Sequence, residues 1–143
     1  MINGVCLTPL SIIPTPGGDV LHALKRSDFG FIDFGEAYFS EIGFNKIKAW
    51  KRHKRMTLNL VVPIGKINFV LCDDRLGHSD IKVEKIILSR DNYFRLTVPP
   101  MIWVGFQGID TNSSLLLNVA DISHDLDEVD KAELNKFKFD WSI

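Results

Sequence analysis

The chain has little of what marks a specialised protein. It carries two cysteines in 143 residues, Cys6 and Cys72, with no CxxC pair and no cysteine–histidine ligand spacing. That argues against a disulfide scaffold and a structural zinc site, and leaves a reducing cytoplasm as the expected compartment. No stretch approaches the roughly 18 apolar residues that a membrane span requires. The first residues, MINGVCLTPLSII, lack the basic start and long apolar core of a secretory signal. Neither sign of charge prevails: 17 Lys and Arg against 18 Asp and Glu give a net charge of −1, which argues against a nucleic-acid module driven by whole-domain charge. Internal repeats and low-complexity tracts are also missing. A chain of this length suffices for one domain, 1–143, with its own apolar core.

What the chain does have is dense punctuation. Pro, Gly and Asp/Asn clusters fall at 14–19, 29–35, 62–66, 72–80, 88–92 and 98–100. Between them lie short runs rich in Val, Ile, Phe and Leu, clearest at 67–72, 82–88, 93–98, 102–107 and 115–121. Short strands at this spacing predict an all-β sandwich or barrel. The Pro- and Gly-rich turns fit a jelly roll, the cupin-type double-stranded β-helix, able to hold a ligand on inward-pointing side chains. Helical periodicity is confined to DEVDKAELNKF at 127–137, which predicts a short C-terminal helix or turn.

One stretch departs from the even charge balance. In KAWKRHKR, residues 48–55, six of eight side chains are basic, and the next ten residues carry no charge. Strand alternation puts Ala49, Lys51, His53, Arg55 and Thr57 on one face, with Lys48, Trp50, Arg52, Lys54 and Met56 on the other. Both faces then carry cations. Unpaired charge is costly inside a core, so one face belongs to solvent and the other can line an anion-holding cavity. A charge run of this kind can equally be a solvated strand and turn.

Four blocks resemble the dTDP-4-dehydrorhamnose 3,5-epimerase superfamily, the cupin-type sugar-nucleotide epimerases and their relatives the 3,4-ketoisomerases. They are FGEAYFS at 34–40, IKAWKRHKRMTLNLVVPIGKINFVLCDD at 47–74, LTVPPMIWVGFQGI at 96–109 and LLLNVADISHDLDEVD at 115–130. The resemblance implies the jelly-roll fold, a nucleotide-diphosphate sugar as ligand and a homodimer. It also implies chemistry next to a ketone in surface-polysaccharide synthesis, without metal or organic cofactor. The family's Arg-Gly-x-His motif falls on Lys48, Ala49, Trp50 and Lys51, so Lys51 stands at the base position. His53 matches the second histidine of the ketoisomerases. Leu58, Leu117 and Val104 fall where the epimerases have Lys, Tyr and a further His.

Epimerisation or isomerisation beside a ketone needs a base for the α-proton, a cation or donor for the enolate oxygen, and an acid. His53 is the natural base, since an unperturbed imidazole titrates near neutrality. Lys51 either stabilises the enolate or is itself the base. Tyr38 is the candidate acid. Lys48, Arg52, Lys54 and Arg55 can take the diphosphate, Arg by a two-pronged contact. Glu36 can accept from a base N–H, and Trp50 and Trp103 can stack on base or sugar. Asn59 either ties backbone or meets ligand, and Asp121 either orients a site group or caps a turn. On this reading the basic block is a cavity wall, anchored by the apolar strand that follows it. Two other functions remain open: a nucleotide-sugar-binding or assembly protein that has lost the acid and base, and a small-anion-binding cupin.

Overall fold

Within Ile67–Cys72 the only polar side chain besides the terminal thiol is Asn68. A strand apolar on both faces must be covered on both. The computed structural model, which describes residues 1–142, meets that demand by placing the strand between two apolar clusters.

The strands are β1 (Cys6–Pro9), β2 (Ile12–Ile13), β3 (Val20–Leu21), β4 (Glu36–Ile42), β5 (Ile47–His53), β6 (Leu58–Ile64), β7 (Lys66–Asp73), β8 (Lys82–Ser89), β9 (Phe94–Val98), β10 (Trp103–Gly108), β11 (Ser114–Ala120) and β12 (Val129–Lys131). One sheet runs β1-β9-β6-β11-β4, the other β12-β5-β10-β7-β8, and β2 and β3 form a small hairpin. This is the expected all-β jelly-roll architecture. The expected C-terminal helix is two single 3₁₀ turns, Leu126–Glu128 and Leu134–Lys136, flanking β12. Among the described residues no helix is long and apolar enough to cross a membrane.

Alternation assigns the faces. Leu58, Leu60 and Val62 of β6, Ile67, Phe69 and Leu71 of β7, and Leu96 and Val98 of β9 belong to the buried cluster between the sheets. The opposite face of β7 presents Val70 and Cys72 to a second cluster, where Trp50, Trp103 and Phe137 pack with Phe139 and Trp141 of the C-terminal segment. Burial pushes the Cys72 thiol up to about 12, with the Asp74 carboxylate adding to the shift, so it is an inert apolar filler rather than a nucleophile.

Two features of β5 differ from the alternation reading. First, β5 and the apolar β6 are not neighbours. β5 pairs with β10 and β12, and β6 lies in the facing sheet. The apolar strand therefore supplies the opposite wall rather than anchoring the basic one. Second, the β5–β10 pairing carries a bulge. Lys51 lies opposite Val104 and Lys48 opposite Phe106, so Ala49 and Trp50 together face Gly105. Directly opposed residues share a face. Lys48 thus joins Lys51 and His53 on the inner face, although simple alternation separates them. Gly105 makes this possible: a Cβ there would sit 2.8 Å from the Ala49 Cβ and 2.9 Å from the Trp50 ring.

Candidate functional site

The bulge delivers Lys48, Lys51 and His53 to a cavity of about 640 Å³ between the two sheets. The same sheet adds Val104 and Phe106 from β10 and Lys131 from β12. The facing sheet contributes Tyr38 from β4, Leu58 and Leu60 from β6, and Leu116 and Asn118 from β11. Lysine surrounds its outer part: Lys48, Lys51 and Lys131 are exposed, whereas Leu58, Leu60, Leu116 and Asn118 are buried. Lys48 Nζ donates to the Glu41 carbonyl at 2.8 Å and lies 6.0 Å from the Phe106 ring.

His53 is held by a residue that the sequence reading missed. Its Nδ1 lies 2.7 Å from Glu128 Oε2, and Glu128 Oε1 accepts the Arg55 and Met56 backbone N–H groups, each at 2.8 Å. The Glu128 side chain has no exposed surface. Burial alone would push its carboxyl up. The hydrogen bonds from the Arg55 N–H, His53 and the Met56 N–H outweigh that and hold it below the ordinary glutamate range. An ionised carboxylate can only accept, so Nδ1 carries a proton, and in the neutral imidazole Nε2 is the nitrogen with the lone pair. A carboxylate–histidine pair on a cavity wall is a general-base arrangement.

The lowered carboxyl has a consequence for stability. A group whose folded value is depressed stabilises the fold above its unfolded value, and that contribution disappears as pH falls through the folded one. Unfolding free energy is therefore expected to fall as pH drops below the ordinary glutamate value of 4.5. Asp130, held low first by the Arg52 hydrogen bond, contributes in the same direction below 3.8. Urea midpoints between pH 7 and 3 measure this, and Glu128→Gln should flatten the upper part of the slope.

The remaining proposed site residues divide sharply. Tyr38 lies in the cavity, where its hydroxyl accepts from Asn118 Nδ2 at 3.0 Å. Glu36 shares the inward face of β4 but is not a lining residue. Arg52 is committed elsewhere: it donates to Asp130 at 2.8 Å and to Asp74 at 3.2 Å, and stacks 4.6 Å from the Trp103 ring. Trp103 Nε1 donates to Asp74 Oδ2 at 3.0 Å, on the same outer side. Trp50 borders the cavity, yet its indole packs 5.2 Å from Phe137 and 5.6 Å from Trp141, and Nε1 donates to the Leu134 carbonyl at 3.1 Å. Arg55 is a surface residue paired with Asp125 at 3.4 Å.

Asn59 ties structure on the outer face of β6: its Oδ1 accepts from Thr97 Oγ1 at 2.8 Å, and Nδ2 donates to the Gly30 carbonyl at 3.4 Å. Asp121 accepts the Thr57 N–H at 2.8 Å. These placements take Arg52, Arg55, Trp103, Asn59 and Asp121 out of the cavity. For Arg52 and Arg55 the cause is the acidic segment 121–130, whose Asp125, Glu128 and Asp130 meet the outward side chains and the backbone of the basic block. Leu58 lines the cavity as expected from its position, whereas on β11 Leu116 and Asn118 point inward in place of Leu117. Among the described residues no three His, Cys, Asp or Glu side chains converge as metal ligands would.

No protein-family model matches the chain. A dTDP sugar isomerase from Desulfovibrio desulfuricans G20 superposes with a TM-score of 0.92 at 38% identity, over 97% of this chain and 91% of that one. The probable low-salt glycan biosynthesis epimerase Agl13 of Haloferax volcanii is 26% identical over 105 residues, 72% of this chain and 67% of its own length. QdtA, a sugar 3,4-ketoisomerase from Thermoanaerobacterium thermosaccharolyticum crystallised with TDP, shares the fold with a TM-score of 0.77 at 19% identity, covering 92% of this chain and 90% of that one.

Proposed function

Because the chain belongs to the dTDP-4-dehydrorhamnose 3,5-epimerase-like superfamily of cupin-type sugar-nucleotide epimerases and 3,4-ketoisomerases, we propose that its cavity takes a nucleotide-linked 4-keto-6-deoxyhexose and moves a proton beside the ketone, as a step in glycan biosynthesis. The observation that carries this is the His53–Glu128 pair, 2.7 Å apart, on the wall of a lysine-rimmed cavity. His53 Nε2 removes the α-proton. Lys51, on the same strand face, stabilises the enolate oxygen, a contribution of the size that one oxyanion donor makes, about 10²–10³-fold in rate. Tyr38, from the facing sheet, returns a proton. Lys48 and Lys131 hold the diphosphate near the mouth.

The protein is proposed to work in the cytoplasm as a homodimer. The dimer is supported by Phe29, Ile32, Phe34 and Phe39, large apolar residues left exposed on and before β4. A second reading, a binding protein without catalysis, draws support from Leu58 and Val104, apolar residues lining the cavity where the epimerases carry Lys and His.

The ligand half of the proposal is tested with TDP alone. Calorimetry should show binding that weakens as salt rises. Lys48→Ala and Lys131→Ala should each weaken it about tenfold, the value of one charge-assisted contact. Absence of TDP binding, or affinities unchanged in both variants, contradicts the assignment.

A further inference from the structure

The mechanism above leaves one buried group without a role. Asn118 sits in the middle of β11, is 3% exposed, and lines the cavity. Its Nδ2 donates to the Tyr38 hydroxyl, but its Oδ1 has no partner. Turning the amide over does not resolve this: Oδ1 would then accept from the Tyr38 O–H and Nδ2 would be the orphan. The neighbours on β6 and β11 offer nothing. Leu60 stands opposite Asn118 on β6, Leu116 and Ala120 flank it on the same face, and its backbone is already committed to strands on both sides. The other unpartnered buried atoms among the described residues, on Asn68, Glu84 and Arg95, belong to residues that do not line the cavity. A polar atom orphaned on a cavity wall is a place where a ligand completes the hydrogen bonding.

Its depth says which part of the ligand arrives there. The exposed Lys48 and Lys131 mark the outer cavity, while Asn118 lies among buried leucines. The charged end of a nucleotide sugar belongs with the former and its neutral hexose with the latter. Resting on the nucleotide-sugar reading, we propose that Asn118 is the residue that recognises the sugar. Its free amide end pairs with a hexose hydroxyl, and its other end holds the Tyr38 hydroxyl toward the same ring. The substrate class is thereby narrowed to sugars that keep a hydroxyl at the deep end of the cavity.

The test compares affinities for TDP and for TDP-4-keto-6-deoxyglucose in the wild type, Asn118→Leu and Asn118→Asp. Asn118→Leu should bind TDP as the wild type does and lose roughly tenfold on the sugar nucleotide, since a hydroxyl would be buried against an apolar wall. Asn118→Asp keeps an acceptor and should recover most of that loss, which a merely structural role would not produce. If Asn118→Leu does not fold, Asn118→Ser, too short to reach the hydroxyl, carries the same expectation. Equal affinities in wild type and variant, or equal losses for TDP and the sugar nucleotide, overturn the assignment of Asn118 alone. A wild type that binds neither ligand overturns the nucleotide-sugar reading together with it.

Discussion

His53→Ala is expected to slow proton exchange at the carbon beside the ketone by about 10²–10⁴-fold, the usual contribution of a positioned general base. The size follows from how completely the imidazole is prepared. Its side chain is 12% exposed and its Nδ1–H is fixed by a carboxylate that has no exposed surface. Glu128 is in turn fixed by two backbone N–H groups, so the pair cannot rotate away from the cavity without breaking three hydrogen bonds. Glu128→Gln preserves the shape but presents an amide N–H₂ to one of these groups of donors. It should reduce exchange by about 10–100-fold, as the loss of a supporting partner commonly does. Single-turnover NMR measures both rates, and thermal melting confirms that each variant is folded. An exchange rate in His53→Ala within threefold of wild type, a margin well inside the expected 10²-fold or larger loss, would remove His53 from the mechanism and leave Lys51 as the base.

Trp50→Ala should cost about 3–5 kcal/mol of folding stability, the range for truncating a fully buried large aromatic. Trp50 is 1% exposed and touches both ends of the C-terminal segment, Phe137 and Trp141. Its backbone exchanges two hydrogen bonds with Ala132, each 3.1 Å, in the strand extension that carries Lys131 and Glu133. Removing the indole therefore loosens both the bulge that turns Lys48 inward and the element that brings Lys131. Urea unfolding measures the stability, and TDP affinity should fall alongside it. Trp50→Phe keeps most of the packing and should lose less of both. A stability loss under about 1 kcal/mol, the cost of a minor repacking, would mean that the C-terminal segment does not hold this strand.

The strands were legible because their signals are local. The runs at 67–72, 82–88, 93–98, 102–107 and 115–121 each match a strand to within a residue or two at the ends. The inner cavity wall was half legible. Lys51 and His53 were put on one face by period two and Tyr38 was named as the acid, but Lys48 was put on the opposite face, because a bulge depends on the partner strand rather than on the strand that bulges. Gly105 inside an apolar strand was the available hint. The outer residues failed for a different reason. Arg52, Arg55 and Trp103 look like ligand groups until their partners, Asp130, Asp125 and Asp74, are known, and Asp125 and Asp130 lie about seventy positions from the arginines they hold. Glu128 was hidden in the same acidic segment. A basic run and an acidic run of similar length were both visible in the sequence, and their mutual neutralisation was the inference that would have found it.

The most direct measurement is proton NMR of the wild-type protein with TDP-4-keto-6-deoxyglucose in deuterium oxide. The account predicts loss of the proton signal at a carbon flanking the ketone, at a rate far above that without protein. Line broadening of the nucleotide signals with no exchange at either flanking carbon would contradict it, and would make the cavity a binding site whose His53–Glu128 pair does no chemistry on this sugar.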